Sequence, residues 1–144
     1  MPTPVLVGTA TQIVFRDTGG TAFTLSSLGT LAARESAVYD FGAASRYPGF
    51  SIDVATQFAV APVINTQLEI YLGGSGDEAT PAGFWGGLGN GDTSHTSAAG
   101  IAKRNQLIFV GGPIAETAAV GPFYFGLPFV PWTHRRLVIF AYNA

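Results

Sequence analysis

Apolar and polar positions alternate along much of this chain, most clearly between residues 50 and 60. One side of that segment carries Phe50, Ile52, Val54, Thr56, Phe58 and Val60, while the residues between them are small or polar. Successive side chains of a β-strand point to opposite faces, so this pattern predicts a half-buried antiparallel strand. A helix would scatter the same apolar side chains around its circumference.

Shorter alternating or β-rich segments follow the same rule, and Gly and Pro residues separate them. We predict strands within residues 11–16, 22–25, 36–41, 67–72, 106–110, 115–120, 123–127 and 135–143. About eight short strands punctuated by turn residues are typical of an antiparallel β-sandwich or barrel, so the chain is assigned to the all-β class. The only helical signal lies near residues 28–34, where we expect at most one short turn.

The last predicted strand is apolar on both sides. Leu137, Ile139 and Ala141 face one way, and Val138, Phe140 and Tyr142 face the other. A strand with this pattern is covered on both faces, either as a central strand of its own domain or by a neighbouring subunit. We favour a sandwich strand whose outer face is partly covered.

Two segments differ from the strand pattern. Residues 73–105 are rich in Gly, Ser, Thr and Ala and are predicted to form one long loop, which is usually functional at such a length. Phe84 and Trp85 lie there between glycines, where they either anchor a partner or fold back to plug one end of the sandwich. Residues 1–10 contain Pro2 and Pro4 and are predicted to form an extended arm before a single domain of residues 11–144.

Charge is scarce, and this changes the expected surface. Only 11% of the residues are charged whereas 47% are hydrophobic, and the net charge is −2. A surface with so few charges repels its neighbours only weakly, so we expect other subunits to cover part of it. Seven scattered basic residues do not form a nucleic-acid surface, and no apolar run is long enough to span a membrane. The N-terminus has no signal-peptide pattern, and the absence of cysteine excludes disulfides and thiolate chemistry.

Candidate catalytic and metal-binding residues are few. Asp17, Thr18 and Gly19 spell the tripeptide of aspartic proteases, but a tight turn needs the same residues. His95 lies near Asp92, yet a third ligand is missing, so we expect a solvated loop histidine. His134 is expected at the start of a strand. We therefore predict no enzyme activity, no catalytic residues, no metal site and no cofactor.

The order of the motifs adds a resemblance that covers most of the chain. The motifs are IVFRDTGG at 13–20, AFTL at 22–25, LAARESA at 31–37, YDFG at 39–42, LEIYLG at 68–73 and PWTHRRLVIFAYN at 131–143. This order resembles a family of small structural proteins of tailed phages, the capsid decoration (cement) proteins. The resemblance implies a jelly-roll-like sandwich that sits as a homotrimer at three-fold axes and clamps neighbouring capsomers. It supplies no catalytic residue, and the 73–105 segment departs from the shorter polar loop expected there.

The expected function is therefore structural. We predict a decoration protein on the outer surface of the virion capsid, made in the host cytoplasm, with the major capsid protein and its own copies as partners. The interface residues predicted from side-chain size, charge and placement are Phe84, Trp85, Trp132, Arg135, Arg136 and Tyr142, the two arginines pairing with acidic groups. The alternative is a glycan- or receptor-binding domain of a head or tail fibre, since exposed Trp and Tyr suit sugar stacking. A small protease or glycosidase is the third possibility.

Overall fold

An antiparallel sheet lies at the centre of the computed structural model, which describes residues 12–16, 18–26, 28–42, 49–75 and 83–144. The predicted arm of residues 1–10 lies outside these ranges. The elements, in chain order, are β1 (Phe15–Arg16), β2 (Thr21–Ala22), β3 (Ala33–Glu35), β4 (Tyr39–Asp40), β5 (Gly49–Thr56), β6 (Leu68–Gly73), a 3₁₀ helix (Trp85–Gly87), β7 (Thr93–His95), α1 (Ser97–Arg104), β8 (Ile108–Gly111), β9 (Phe123–Pro131) and β10 (Arg136–Asn143).

Six strands form the central sheet. Their order is β7-β3-β10-β6-β8, and β4 also pairs with the beginning of β10. All of these pairings are antiparallel, whereas the two-residue strands β1 and β2 form a separate parallel pair. The predicted all-β class with antiparallel sandwich architecture is confirmed.

Strands β5 and β9 form a separate antiparallel ribbon. Ile52 and Val54 of β5 are partly buried, whereas Ser51 and Asp53 are exposed, so the predicted alternation is confirmed along this strand. The strand ends at Thr56, however, and Val60 is 78% exposed.

The ribbon covers one face of the central sheet, which we call the ribbon face. Its core combines the inward residues of the ribbon with those of β6 and β10. The members are Phe50, Ile52, Val54, Leu127 and Val130 from the ribbon and Ile70, Leu72, Leu137, Ile139 and Ala141 from the sheet. This is the sandwich contact that the sequence predicts.

Residues 83–107 cover the opposite face, which we call the helix face. Phe84 and Leu88 pack there against Tyr71, Phe140 and Tyr142. The helix α1 crosses the same face so closely that a Cβ at Gly100 would lie 2.8 Å from the Cβ of Ala33, and only glycine allows this approach.

The prediction that residues 73–105 form one long loop is therefore wrong in its second half, which holds β7, α1 and the 3₁₀ helix. Two local signals mark α1: Thr96 accepts a hydrogen bond from the Ala99 amide as its N-cap, and Lys103 and Arg104 occupy its last turn. Near residues 28–34 the structure has the single short turn that was expected, closed by the Ala32 amide donating to the Gly29 carbonyl, and β3 begins directly after it.

Four further strand predictions need correction. Residues 115–120 form no strand, although Phe58 donates a backbone hydrogen bond to Val120 there. The strands expected within 11–16, 22–25 and 36–41 shrink to two residues each, because β1 and β2 pair only with each other and β4 pairs only with the beginning of β10.

The position of β10 in the sheet explains why both of its sides are apolar. It pairs with β3, β4 and β6 and lies in the middle of the sheet. Phe140 and Ala141 are both fully buried, one on each face. The chain itself thus covers both faces of this strand.

Candidate functional site

Three of the predicted interface residues belong to the core of the domain. Phe84 and Trp132 are each 5% exposed and Tyr142 is 2% exposed. Side chains buried to this degree offer a partner almost no surface. Phe84 folds back on its own domain, which was the alternative prediction. These three residues are therefore not assigned to an interface.

Trp85 is half-buried in an aromatic cluster. Its ring centroid lies 6.0 Å from that of Trp132 and 4.9 Å from that of His134, both in edge-on geometry. The Nδ1 atom of His134 is 3.1 Å from the carbonyl oxygen of Ser75. This cluster fixes the start of the 83–107 segment against the sheet.

The two predicted interface arginines find an acidic group within the chain. Arg135 donates to both carboxylate oxygens of Asp40 at 2.8 and 2.9 Å, and the Nε atom of Arg136 lies 3.7 Å from one of them. The hydrogen bond from Arg135, helped by the Gly42 amide, lowers the pKa of Asp40 to about 2. The predicted pairing with a carboxylate is thus present, but it is intramolecular.

Glu35 is fully buried on the helix face. Its carboxylate accepts hydrogen bonds from the Gly89 amide at 2.9 Å and the Asn90 side chain at 3.3 Å, and it lies 3.2 Å from Nε2 of His95. The prediction that His95 is a solvated loop residue is wrong, because its side chain is 11% exposed on β7. Glu35 therefore ties the 89–95 segment to the sheet.

Asp92 forms a second tie between the 83–107 segment and the sheet, but on the other face of β3, because Arg34 alternates with Ala33 and Glu35 along this strand. Its carboxylate accepts from Nε of Arg34 at 2.6 Å and from the hydroxyl of Thr24 at 2.6 Å. The Arg34 hydrogen bond is the main reason why the pKa of Asp92 falls to about 2. This carboxylate is saturated by its own chain and is a poor metal ligand.

A third tie joins α1 to the sheet. Arg104 donates to Glu69 at 2.8 Å, and its guanidinium lies 4.3 Å from the ring centre of Tyr142. The Tyr71 hydroxyl donates to the same carboxylate at 2.7 Å, and burial, then Glu69, raise the pKa of Tyr71 to about 12. All three ties are structural, and each carboxylate is occupied by neighbouring donors.

Within the described ranges, no three or more His, Cys, Asp and Glu residues are grouped so as to hold a metal ion. Asp17, the candidate for protease chemistry, lies outside those ranges. In the same part of the chain, no helix is both long and apolar enough to cross a membrane.

The most exposed apolar surface lies at one end of the domain, where segment 58–66 runs beside segment 113–120. We call it the apolar tip and define it by Val60, Val63, Ile64 and Ile114, whose exposures are 78%, 80%, 53% and 45%. Backbone hydrogen bonds between Asn65 and Ala115 and between Phe58 and Val120 fix the two segments together.

Charge is nearly absent from the apolar tip. Residues 58–66 contain no charged side chain, and the facing segment contributes only Glu116. An exposed aliphatic surface of this kind is typical of a protein contact. The alternating pattern did not reveal this surface, because it continues through Val60 although β5 ends at Thr56.

A second apolar surface follows one edge of the sheet. Strand β8 is an outer strand, and its Ile108 and Phe109 are 46% and 53% exposed. The opposite edge, β7, carries only Thr93, Ser94 and His95. The two edges therefore differ, and only β8 combines open backbone groups with large apolar side chains.

No family model, curated protein or solved structure matches this chain, so its function is argued from its own geometry.

Proposed function

We propose that this protein is a non-enzymatic structural component of a virion, a decoration protein that binds the outer capsid surface as a homotrimer and stabilises the head. The observation that carries the proposal is the apolar tip, which exposes four aliphatic side chains without a charge among them. Such a surface is stabilised by a partner that removes it from water, at about 25 cal/mol for each Å² buried.

The apolar tip is the surface that we assign to the major capsid protein. Its backbone is held at both ends by hydrogen bonds to the 113–120 segment, so little ordering is needed when it binds. Binding to the intact shell and not to a broken one stabilises the shell by mass action.

The β8 edge is the surface that we assign to contacts between copies. Open strand edges pair readily with another chain, and the exposed Ile108 and Phe109 add apolar area at this edge. A trimer presents three apolar tips at once, so contacts that are individually weak combine through effective concentration.

The distribution of charge supports a covered exterior. Five charged residues bind partners between the sheet and the segment that covers it: Arg34, Glu35, Glu69, Asp92 and Arg104. None of these five is placed to keep copies apart. A chain that holds these five charges in internal ties has fewer left to keep its copies apart, which favours neighbours that cover its apolar exterior.

A threonine triple variant tests the assignment of the apolar tip. Val60→Thr and Val63→Thr keep the side-chain volume and Ile64→Thr shortens it by one carbon, and each places a hydroxyl whose burial without a partner costs about 1–3 kcal/mol. We expect capsid occupancy in a reconstitution with undecorated particles to fall about 100-fold or more, because three such penalties add.

The matched control is Ile101→Thr, which alters another exposed aliphatic residue, on α1. It should bind like the unaltered protein, and thermal unfolding should show that both variants fold. Equal occupancy for the triple variant and the control would contradict the assignment.

The copy number in purified particles tests the function itself. Quantitative mass spectrometry should give about one copy of this protein for each copy of the major capsid protein. A handful of copies per particle would place the protein in the tail, portal or fibre and would overturn the proposal.

A further inference from the structure

The outer face of the β5–β9 ribbon carries two exposed aromatic rings. Tyr124 is 75% exposed and Phe129 is 55% exposed, and both belong to β9. The Phe129 ring lies over Gly49, where a Cβ would come within 2.8 Å of it. Tyr124 and Phe129 are five positions apart along β9, roughly 17 Å at 3.4 Å per residue.

Small residues leave open space beside Tyr124. In the ribbon register, Ala55 lies opposite Tyr124, and Gly126 lies opposite Asp53. A Cβ at Gly126 would lie 3.1 Å from a carboxylate oxygen of Asp53, so this carboxylate lies close over the glycine. The result is a shallow depression of about 440 Å³ lined by Asp53, Val54, Ala55, Tyr124, Phe125 and Gly126.

Asp53 differs from the other aspartates that the structure describes. Asp40 and Asp92 each accept hydrogen bonds from an arginine, whereas no described residue donates a hydrogen bond to the Asp53 carboxylate or pairs with it. Asp53 lies between Tyr124 and Phe129 along the ribbon, beside exposed Ser51. These four residues form a surface, which we call the platform, with hydrogen-bond acceptors at its centre.

We propose that this platform, formed by Tyr124, Asp53, Ser51 and Phe129, binds an oligosaccharide. A sugar ring has an apolar face that stacks on an aromatic side chain and hydroxyl groups that donate to a carboxylate. Two rings at opposite ends of a polar strip suit a chain of several sugars better than a single one.

The chemistry separates this surface from the apolar tip. A protein partner that buried Asp53 would have to compensate an ionised carboxylate, and the cores of protein interfaces are depleted in charge. Sugar hydroxyls satisfy the same carboxylate while its surroundings stay wet. The inference is independent of the proposed capsid role, because the residues of the two surfaces do not overlap.

The test is a glycan array printed with oligosaccharides of bacterial O-antigens and capsules, followed by calorimetric titration of the best binder. We expect saturable binding by the unaltered protein. Tyr124→Ala should weaken the affinity about tenfold or more, whereas Tyr124→Phe keeps the ring and should retain most of it. Asp53→Asn should weaken binding, and Phe129→Ala should affect long oligosaccharides more than short ones.

Two outcomes would overturn the inference: no saturable binding to any oligosaccharide, or binding that Tyr124→Ala leaves unchanged. Capsid occupancy of Tyr124→Ala distinguishes this failure from a failure of the proposed function. If this variant loses occupancy and the unaltered protein binds no sugar, the platform is a protein contact and the inference is rejected. If occupancy is normal and sugar binding is lost, both proposals stand.

Discussion

The two faces of the central sheet are covered by different means. On the ribbon face, β5 and β9 pack through aliphatic and aromatic side chains, and no ion pair crosses this contact between described residues. On the helix face, residues 83–107 also bury apolar side chains, but they are held in addition by Glu35 and by the Glu69–Arg104 pair.

The difference follows from the regularity of each cover. The ribbon is a regular two-stranded unit whose period-2 pattern presents one apolar face, so burial alone aligns it. The 83–107 segment has short elements joined by glycine-rich turns, and such a backbone needs directional bonds to select one arrangement. The few charges of the chain therefore concentrate where periodicity gives least guidance.

The largest losses of unfolding free energy should be similar on the two faces. Phe140 on the helix face and Leu72 on the ribbon face are both fully buried. We expect Phe140→Ala to lower the free energy of unfolding by about 3–5 kcal/mol and Leu72→Ala by about 2–5 kcal/mol, because each leaves a cavity. Urea unfolding measures both. A loss below about 1 kcal/mol for Phe140→Ala would mean that residues 83–107 do not pack on the sheet.

Next in size is the loss of the buried carboxylate on the helix face. Glu35→Ala leaves the Gly89 amide without its acceptor, while the Asn90 side chain keeps its bond to the Gly87 carbonyl, and the loss costs about 1–3 kcal/mol. Ser51→Ala, on the exposed side of the ribbon, should change the free energy of unfolding by less than about 0.5 kcal/mol. Equal losses of unfolding free energy for Glu35→Ala and Ser51→Ala would contradict the proposed role of Glu35 in holding the 83–107 segment.

Acid should weaken the hydrogen bonds that hold Asp92 to Arg34 and Thr24. The pKa of Asp92 falls from 3.8 to about 2 on folding, so its contribution is complete above about pH 4 and is lost as the pH falls towards 2. The side chain is 17% exposed, and after allowance for solvent screening we expect about 1–2 kcal/mol. Asp92→Asn should be less stable than the unaltered protein at pH 5 and should approach it at pH 2. A constant difference across this range would show that Asp92 does not stabilise by its charge.

The smallest effect is expected at Lys103. Its Nζ atom donates to the carbonyl oxygens of Gly86 and Gly87 at 2.7 and 3.1 Å, across part-exposed surface. Lys103→Met keeps the aliphatic stem and should lower the free energy of unfolding by about 0.5–1.5 kcal/mol. Faster hydrogen exchange at the Leu88 amide, which donates to Trp85, should accompany the loss. An unchanged exchange rate at the Leu88 amide would show that Lys103 does not help to hold residues 83–107 in place.

Much of the strand pattern was open to prediction. The alternation from Phe50 to Thr56 and the two apolar sides of β10 follow from side-chain direction in an extended chain, which any single strand possesses. The helix α1 also had local signals in Thr96 and in Lys103 and Arg104, but Gly100 in its middle weakens a helix by about 1 kcal/mol and concealed it.

The candidate surfaces were harder to predict. Large aromatic residues in a glycine-rich segment indicated an interface, but the sheet had room for Phe84 on its helix face, and Trp132 and Tyr142 lie in the core. The exposed surfaces instead consist of Val60, Val63 and Tyr124, residue types that sequence reasoning places in strands without saying which face stays open.

The sequence by itself determined the all-β class, the positions of the longest strands and the need to cover both sides of β10, because these depend on residue types and on a period of two. Only the tertiary structure decided what covers the second side. That cover depends on contacts such as the one between Glu35 and Gly89, which are 54 residues apart in the chain. A local pattern carries no information on which distant segment will supply a matching donor, since that choice is made by the whole chain when its layers come together.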